Sequence, residues 1–90
     1  MKILIVDDNN DDRKMLRYVL ETHGHDVMEA CNGQEGLQTA SAHRLDLIIS
    51  DVFMPVMDGF QFLKAIKGDE KLRSIPFIFY SAIYKADKDV

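Results

Sequence analysis

Three aspartates follow two strongly apolar runs of this chain, and carboxylates in such positions can do chemistry. Asp51 comes directly after Leu47-Ile48-Ile49-Ser50, and Asp7 and Asp8 come directly after Ile3-Leu4-Ile5-Val6. A single acid after a strand is commonly a solvated loop residue. If the two runs are neighbouring parallel strands, however, all three acids meet at one edge of a sheet, and together they are a candidate site.

Carboxylates that crowd together repel one another, which raises their pKa values unless a cation compensates. Mg²⁺ is such a cation, because it accepts oxygen ligands and is commonly held by one or two carboxylates plus phosphate oxygens. Beside it, an aspartate can act as a nucleophile and become an aspartyl phosphate. The acids therefore indicate a magnesium site for phosphoryl transfer. Ser81, at the end of another apolar run, could hydrogen-bond the new phosphate.

The elements that must position these residues alternate between strand and helix. Apolar runs predict strands at residues 2–7, 25–30, 45–51 and 75–80. Helical spacing of apolar residues predicts helices over 11–22, from 32 or 33 to about 43, and from 57 or 58 to 67, with a further helix beginning at 84–90. Asp58 is interpreted as an N-terminal residue of the third helix rather than as a ligand.

Two sets of apolar residues at helical spacing are expected to face the core. In the first helix they are Met15, Leu16, Val19 and Leu20, and in the third Phe60, Leu63 and Ile66. The second helix has a thinner apolar face, and we expect it to be the least firmly docked of the three.

Strict alternation of strand and helix implies right-handed crossovers, a parallel sheet and helices on both faces. In such sheets, ligands bind beyond the carboxyl ends of the strands, near the point where strand order reverses. Asp7, Asp8, Asp51 and Ser81 all fall at these ends. Their shared location is the main physical indication of a site.

Composition restricts the partners. The chain has 90 residues, enough for one domain, with 47% hydrophobic residues and a net charge of −4. Without a cluster of Lys and Arg, we expect no direct binding to nucleic acid or to anionic membranes. The single cysteine, Cys31, has no internal disulfide partner, and the N-terminal apolar stretch is too short for a signal peptide or a span. We therefore expect a soluble, cytoplasmic protein.

The chain resembles the receiver domain of two-component response regulators, which has the CheY-like, flavodoxin-like α/β fold. Val6-Asp7-Asp8 is similar to the family's acidic pair, and Asp51 to its phosphoacceptor. Met54-Pro55-Val56-Met57-Asp58-Gly59 resembles its MPxMDG loop, and Ser81-Ala82 its switch hydroxyl and small neighbour. The resemblance implies a parallel sheet of strand order 2-1-3-4, with a fifth strand in the family.

The resemblance also implies roles for individual residues. Asp51 would accept a phosphoryl group from a sensor histidine kinase or a phosphotransfer protein, with Mg²⁺ required. Asp8 and Asp51 would ligate the metal directly, Asp7 directly or through water, and Phe53 through its backbone carbonyl. Ser81 would be the switch hydroxyl. Such a domain takes part in its own phosphorylation but is not a turnover enzyme.

The chain departs from the family after Ser81. It lacks the fifth strand with its Lys-Pro ending and the last helix, a unit of roughly 30 residues. We therefore interpret residues 1–90 as a receiver domain that is incomplete at its C-terminus. The fourth strand would then be an exposed hydrophobic edge, which allows a homodimer or a domain-swapped pair.

Three classes of function compete at this stage. The leading hypothesis is a phosphoacceptor signalling domain. The alternative is a truncated or pseudo-receiver, a protein-interaction or dimerisation module without a phosphorylation switch. The last is a phosphohydrolase with an aspartate nucleophile, but such enzymes resemble DxDx[TV], and Asp51-Val52-Phe53 lacks the second acid.

Overall fold

The structure, a computed structural model, describes residues 1–80. The predicted switch hydroxyl of Ser81 and the predicted helix over 84–90 lie outside the described residues. The described elements alternate as β1 (Lys2–Val6), α1 (Asn10–Thr22), β2 (Asp26–Ala30), α2 (Gly33–Ala42), β3 (Leu47–Ser50), α3 (Gly59–Lys67) and β4 (Phe77–Phe79).

The four strands form one parallel sheet in the order β2-β1-β3-β4. This confirms the predicted α/β fold and strand order. β4 has three residues and is shorter than predicted, and among the described residues it is an edge strand. Pairing continues past its ends: the Ile48 N–H donates to the Pro76 carbonyl (2.9 Å), and the Tyr80 N–H donates to the Ser50 carbonyl (3.1 Å).

The central strands are buried on both faces, as their unbroken apolar runs predict. One face of the sheet carries the larger cluster, in which Leu4, Val6 and Ile48 pack with Phe62 and Ile66 of α3. The opposite face carries a smaller group, which we call the α1-side cluster. It consists of Ile3, Ile5, Val27 and Ile49, with Leu16, Leu20, Leu47 and Tyr80 packed against it.

The predicted ranking of helix docking is wrong. α1 has no buried residue, and Met15 and Val19 of its predicted core stripe are 67% and 49% exposed. α2 buries Gly33, Gly36 and Ala40 instead. Sequence reasoning counted large apolar side chains, but α2 is held close to its neighbours because its glycines allow near approach.

The predicted core face of α3 is also partly wrong. Phe60 is 61% exposed, whereas Phe62 is completely buried together with Ile66. Phe62 fits because α2 presents glycines to it: a Cβ on Gly33 or on Gly36 would come within 2.9 Å of atoms of the Phe62 side chain. Within residues 1–80, no helix has both the length and the apolar character needed to cross a bilayer.

Candidate functional site

Asp7 and Asp51 occupy equivalent places at the carboxyl edge of the sheet. In the pairing of β1 with β3, Val6 is the partner of Ser50. Asp7 directly follows Val6 in the sequence, and Asp51 directly follows Ser50. The Asp51 N–H donates to the Val6 carbonyl (2.9 Å). Both side chains are fully buried, whereas Asp8 is exposed. The inner part of the site is therefore buried, and Asp8 on its outer side is open to solvent.

The structure brings the three predicted metal ligands together. Asp7, Asp8 and Asp51 each offer a carboxylate oxygen, and these oxygens lie within 4.8 Å of one another. Three hard oxygen donors at this spacing suit a divalent cation such as Mg²⁺. Buried carboxylates at this separation would otherwise repel strongly, and a cation would offset that repulsion.

Backbone donors hold the two buried carboxylates in position. Oδ1 of Asp51 accepts from the Val52 N–H (2.8 Å). Oδ1 of Asp7 accepts from the Asn9 N–H (3.0 Å). These bonds fix the orientation of each side chain.

Arg13 of α1 connects the acidic edge to strand β2. Its Nη1 donates to the carbonyl oxygen of Asp7 (2.7 Å), and its Nε donates to Oε1 of Glu29 (2.8 Å). Arg17 donates to Oε2 of the same Glu29 (2.7 Å). Burial alone would raise the pKa of Glu29, but the hydrogen bonds from Arg17 and Arg13 lower it below its ordinary value. Glu29 is therefore ionised and holds both arginines on the sheet.

The loop from β3 to α3 is fixed at the end that leads into α3. Asp58 caps α3: its Oδ1 accepts from the Gln61 N–H (2.8 Å), and Gln61 Oε1 accepts from the Asp58 N–H (3.0 Å). This confirms the capping role expected for Asp58. The Gly33 N–H at the start of α2 donates to the Met57 carbonyl (3.2 Å). Val56, just before Met57, has a φ of 71°, in the left-handed region that side chains rarely adopt.

Phe53 lies in this loop, two residues after Asp51, and its side chain is 64% exposed. The assignment of its backbone carbonyl as a metal ligand stays a prediction. Ser81 follows the last described residue, so its role as switch hydroxyl also stays a prediction.

Tyr80 is a site residue that sequence reasoning missed. Its hydroxyl donates a hydrogen bond to Oδ2 of Asp7. Burial raises the pKa of Tyr80 well above its usual value, and the hydrogen bond to Asp7 and the charges of Asp7 and Asp51 raise it further. The hydroxyl therefore stays protonated and acts as a donor.

A signal for Tyr80 was present in the alternation of side chains along the strands. Successive residues point to opposite faces, so Asp7 shares a face with Ile3 and Ile5. Tyr80 shares a face with Ile78, whose β3 partner Ile49 belongs to the α1-side cluster. To decide which residues of β1 and β4 share a face, one must know the register in which the strands pair. The sequence alone did not provide that register.

A parallel sheet in this order, with buried acids at its carboxyl edge, defines the class as a CheY-like flavodoxin fold. Residues 3–90 match the family model described as "Response regulator receiver domain". The chain therefore belongs to the response regulator receiver domain family.

Relatives among characterised proteins agree. The chain is 36% identical over 88 residues to the polar-differentiation response regulator DivK of Brucella anthropi, covering 97% of this chain and 72% of that protein. It is 38% identical to the protein PilH of Pseudomonas aeruginosa, covering 86% of this chain and 64% of PilH. It is 43% identical to the probable transcriptional regulator ycf27 of Cyanidium caldarium, of which it spans only 31%.

Solved structures show the same fold. The chemotaxis response regulator CheY4 of Vibrio cholerae superposes with a TM-score of 0.83 at 37% identity, covering 97% of this chain and 75% of CheY4. The receiver domain of the sensor histidine kinase PA1611 of Pseudomonas aeruginosa gives 0.85 at 27% identity, covering 98% and 73%. That receiver domain has a magnesium ion coordinated in its active site cleft. The family's members are signalling proteins of two-component systems, and receiver domains generally bind Mg²⁺.

Proposed function

We propose that this chain is a phosphoacceptor receiver domain of a two-component phosphorelay, with Asp51 as the residue that is phosphorylated. One observation carries the proposal: Asp51 is fully buried at the end of β3, and one of its carboxylate oxygens lies within 4.8 Å of oxygens of Asp7 and Asp8. The acid thus lies at the carboxyl edge of the sheet in a group of three carboxylates, where a divalent cation and a phosphoryl group would both find their ligands.

Asp8 and Asp51 would hold Mg²⁺ directly, Asp7 directly or through water, and Phe53 through its carbonyl. The donor set fits, because Mg²⁺ prefers oxygen ligands and takes one or two carboxylates at such sites. When bound, the ion offsets the negative charge of the transferring phosphoryl group. Asp8 is exposed, so an ion from solvent can reach its carboxylate.

In the proposed reaction, a carboxylate oxygen of Asp51 attacks the phosphorus of a phosphohistidine. An O–P bond forms while the P–N bond breaks, and the leaving imidazole keeps the electron pair and takes up a proton. The Val52 N–H, which donates to Oδ1 of Asp51 (2.8 Å), fixes the nucleophile in one orientation. Ser81 would hydrogen-bond the transferred phosphoryl group.

The phosphodonor partner would be a sensor histidine kinase or a phosphotransfer protein. The domain would assist its own phosphorylation without being a turnover enzyme. We further propose a cytoplasmic location and no direct contact with nucleic acid, since Cys31 is the only cysteine and the net charge is −4.

The test uses acetyl phosphate with Mg²⁺ and measures intact mass. Wild type should gain one phosphoryl group, and Asp51→Asn should gain none. Asp26→Asn is a matched control, because Asp26 is exposed at the start of β2, away from the acidic edge. Folded wild-type protein that stays unmodified would count against the proposal.

The metal assignment has its own test, a Mg²⁺ titration of wild type, Asp8→Ala and Asp26→Asn. Asp8→Ala should weaken binding strongly, and Asp26→Asn should bind as wild type does. Equal affinity in all three proteins would mean that Asp8 is a solvated loop residue.

A second candidate function is a protein-interaction or dimerisation module without a phosphorylation switch. One observation favours it: Ile78 of β4 is 49% exposed on the same side of the sheet as the exposed Met15 and Tyr18 of α1. A module of this kind would form dimers that Ile78→Lys disrupts and Asp51→Asn leaves intact. Sedimentation over a range of concentrations tests this, with Gln38→Lys on the exposed face of α2 as the charge-matched control.

A further inference from the structure

Tyr80 is placed at the acidic edge by the sheet itself. Its N–H donates to the Ser50 carbonyl (3.1 Å), which extends the pairing of β3 with β4 by one residue. Its ring packs against the α1-side cluster. The backbone and the ring of Tyr80 are therefore both fixed in position, and its hydroxyl donates to Oδ2 of Asp7 from a fixed direction.

Asp7 has protein donors on both of its carboxylate oxygens. Oδ1 accepts from the Asn9 N–H (3.0 Å), and Oδ2 accepts from the Tyr80 hydroxyl. Asp7 is completely buried, and one of its carboxylate oxygens lies within 4.8 Å of oxygens of Asp8 and Asp51. A cation at the three acids, or a water bound to it, would approach the same carboxylate.

We propose that the hydroxyl of Tyr80 competes with a divalent cation for Oδ2 of Asp7, so that Tyr80 sets the cation affinity of the site. This inference rests on the proposed function, because it assigns a regulating residue to the same metal site. Tyr80 is a positioning residue: it acts on the cation through Asp7.

The direction of the effect follows from the competition. Mg²⁺ requires near-ideal octahedral geometry, so it must approach a ligand oxygen from a narrow range of directions. A cation that uses Oδ2 must displace the Tyr80 hydroxyl or share the oxygen with it. Removal of the hydroxyl abolishes this cost and should tighten cation binding, by about tenfold for a hydrogen bond to a charged acceptor.

The experiment is a Mg²⁺ titration of the full chain at constant ionic strength, comparing wild type with Tyr80→Phe. This variant keeps the ring and its packing and removes only the hydroxyl. Tyr18→Phe is the matched control, because Tyr18 is 61% exposed on α1. We expect the Kd for Mg²⁺ to fall about tenfold in Tyr80→Phe and to stay unchanged in Tyr18→Phe.

Near-ultraviolet absorbance supplies a second readout that does not depend on phosphorylation. The chain has three tyrosines and no tryptophan, so a change at one tyrosine is visible. Addition of Mg²⁺ should change the tyrosine absorbance of wild type and of Tyr18→Phe, as the hydroxyl loses its carboxylate acceptor. The change should be absent in Tyr80→Phe.

The outcomes separate this inference from the proposed function. A Tyr80→Phe protein that binds Mg²⁺ as wild type does, or more weakly, overturns the competition even if Asp51 is phosphorylated normally. Wild-type protein that neither binds Mg²⁺ nor accepts a phosphoryl group overturns the proposed function and this inference with it. Tighter binding in Tyr80→Phe together with loss of the absorbance change supports both.

Discussion

Gly59 lies against the backbone of Asp51 so closely that a Cβ on Gly59 would be 2.3 Å from the Asp51 carbonyl oxygen. The same atom would be 2.8 Å from Cα of Val52. Both neighbours are backbone atoms, one of the proposed phosphoacceptor itself and one of the residue that follows it. The Gly59 N–H also donates to the Val52 carbonyl (2.8 Å). The start of α3 therefore sets the position of the residue that carries the proposed chemistry.

Gly59→Ala should destabilise the protein by about 1–3 kcal/mol, because the loop must move to admit a methyl group. Gly68→Ala is the control: Gly68 has helical φ and ψ, and a Cβ there would be 3.3 Å from the nearest carbonyl oxygen. That change should cost much less than Gly59→Ala, because a shift of a few tenths of an ångström relieves the contact. Urea denaturation measures both, and equal midpoints for the two variants would contradict the close approach at Gly59.

Phe62→Ala should cost about 3–5 kcal/mol of unfolding free energy, since the ring is completely buried. Phe60→Ala should cost much less, about 0.5–1.5 kcal/mol for its edge contact with Phe79. If Phe62→Ala does not fold, Phe62→Leu gives a smaller loss on the same scale. Comparable losses of unfolding free energy at positions 60 and 62 would contradict the burial seen here and support the prediction that Phe60 faces the core.

Glu29→Gln should reduce stability by about 1–2 kcal/mol near neutral pH, because two charge-assisted hydrogen bonds lose their ionised acceptor. The pKa of Glu29 is lowered in the folded state from an ordinary value of 4.5. Its contribution is therefore fully present above pH 4.5 and is lost as pH falls through the lower, folded value. The difference between wild type and variant should shrink in acid.

Glu21→Gln is the control for this series. Glu21 is 47% exposed, and within residues 1–80 its ion pair is with Arg17 (3.2 Å), so its removal should change stability little at any pH. Denaturation curves collected from neutral pH downward test both variants. A Glu29→Gln deficit that persists unchanged in acid would show that the effect is packing rather than charge.

Cys31 should react slowly with thiol reagents although it is exposed. A hydrogen bond from its Sγ to Oε2 of Glu35 (3.1 Å) raises the pKa of the thiol, and burial and the charge of Glu35 raise it further. The reactive thiolate is therefore scarce. Glu35→Gln should speed alkylation at mildly alkaline pH, and Glu70→Gln, at another exposed position, should not. Identical rates in all three proteins would contradict the proposed interaction.

Much of the site could be predicted because it depends on local patterns. The unbroken apolar runs before Asp7 and Asp51 predict buried parallel strands, and parallel strands bring their carboxyl ends to one edge. Phe62 and Tyr80 were missed for a common reason. The choice between Phe60 and Phe62 as the core residue depends on glycines in another helix, and the role of Tyr80 depends on register across three strands. Neither feature can be predicted from the residues next to Phe62 or Tyr80 in the sequence.

The pairing of Val6 with Ser50 has one more consequence. A slip of β3 by one residue against β1 would turn every β3 side chain to the opposite face of the sheet. The side chains of Asp51 and Asp7 would then lie on opposite faces of the sheet, although the apolar residues of β3 could still be buried. The proposed cation site would thus report correct strand alignment. Mg²⁺ binding during refolding should select molecules with native register from misaligned ones that are equally compact.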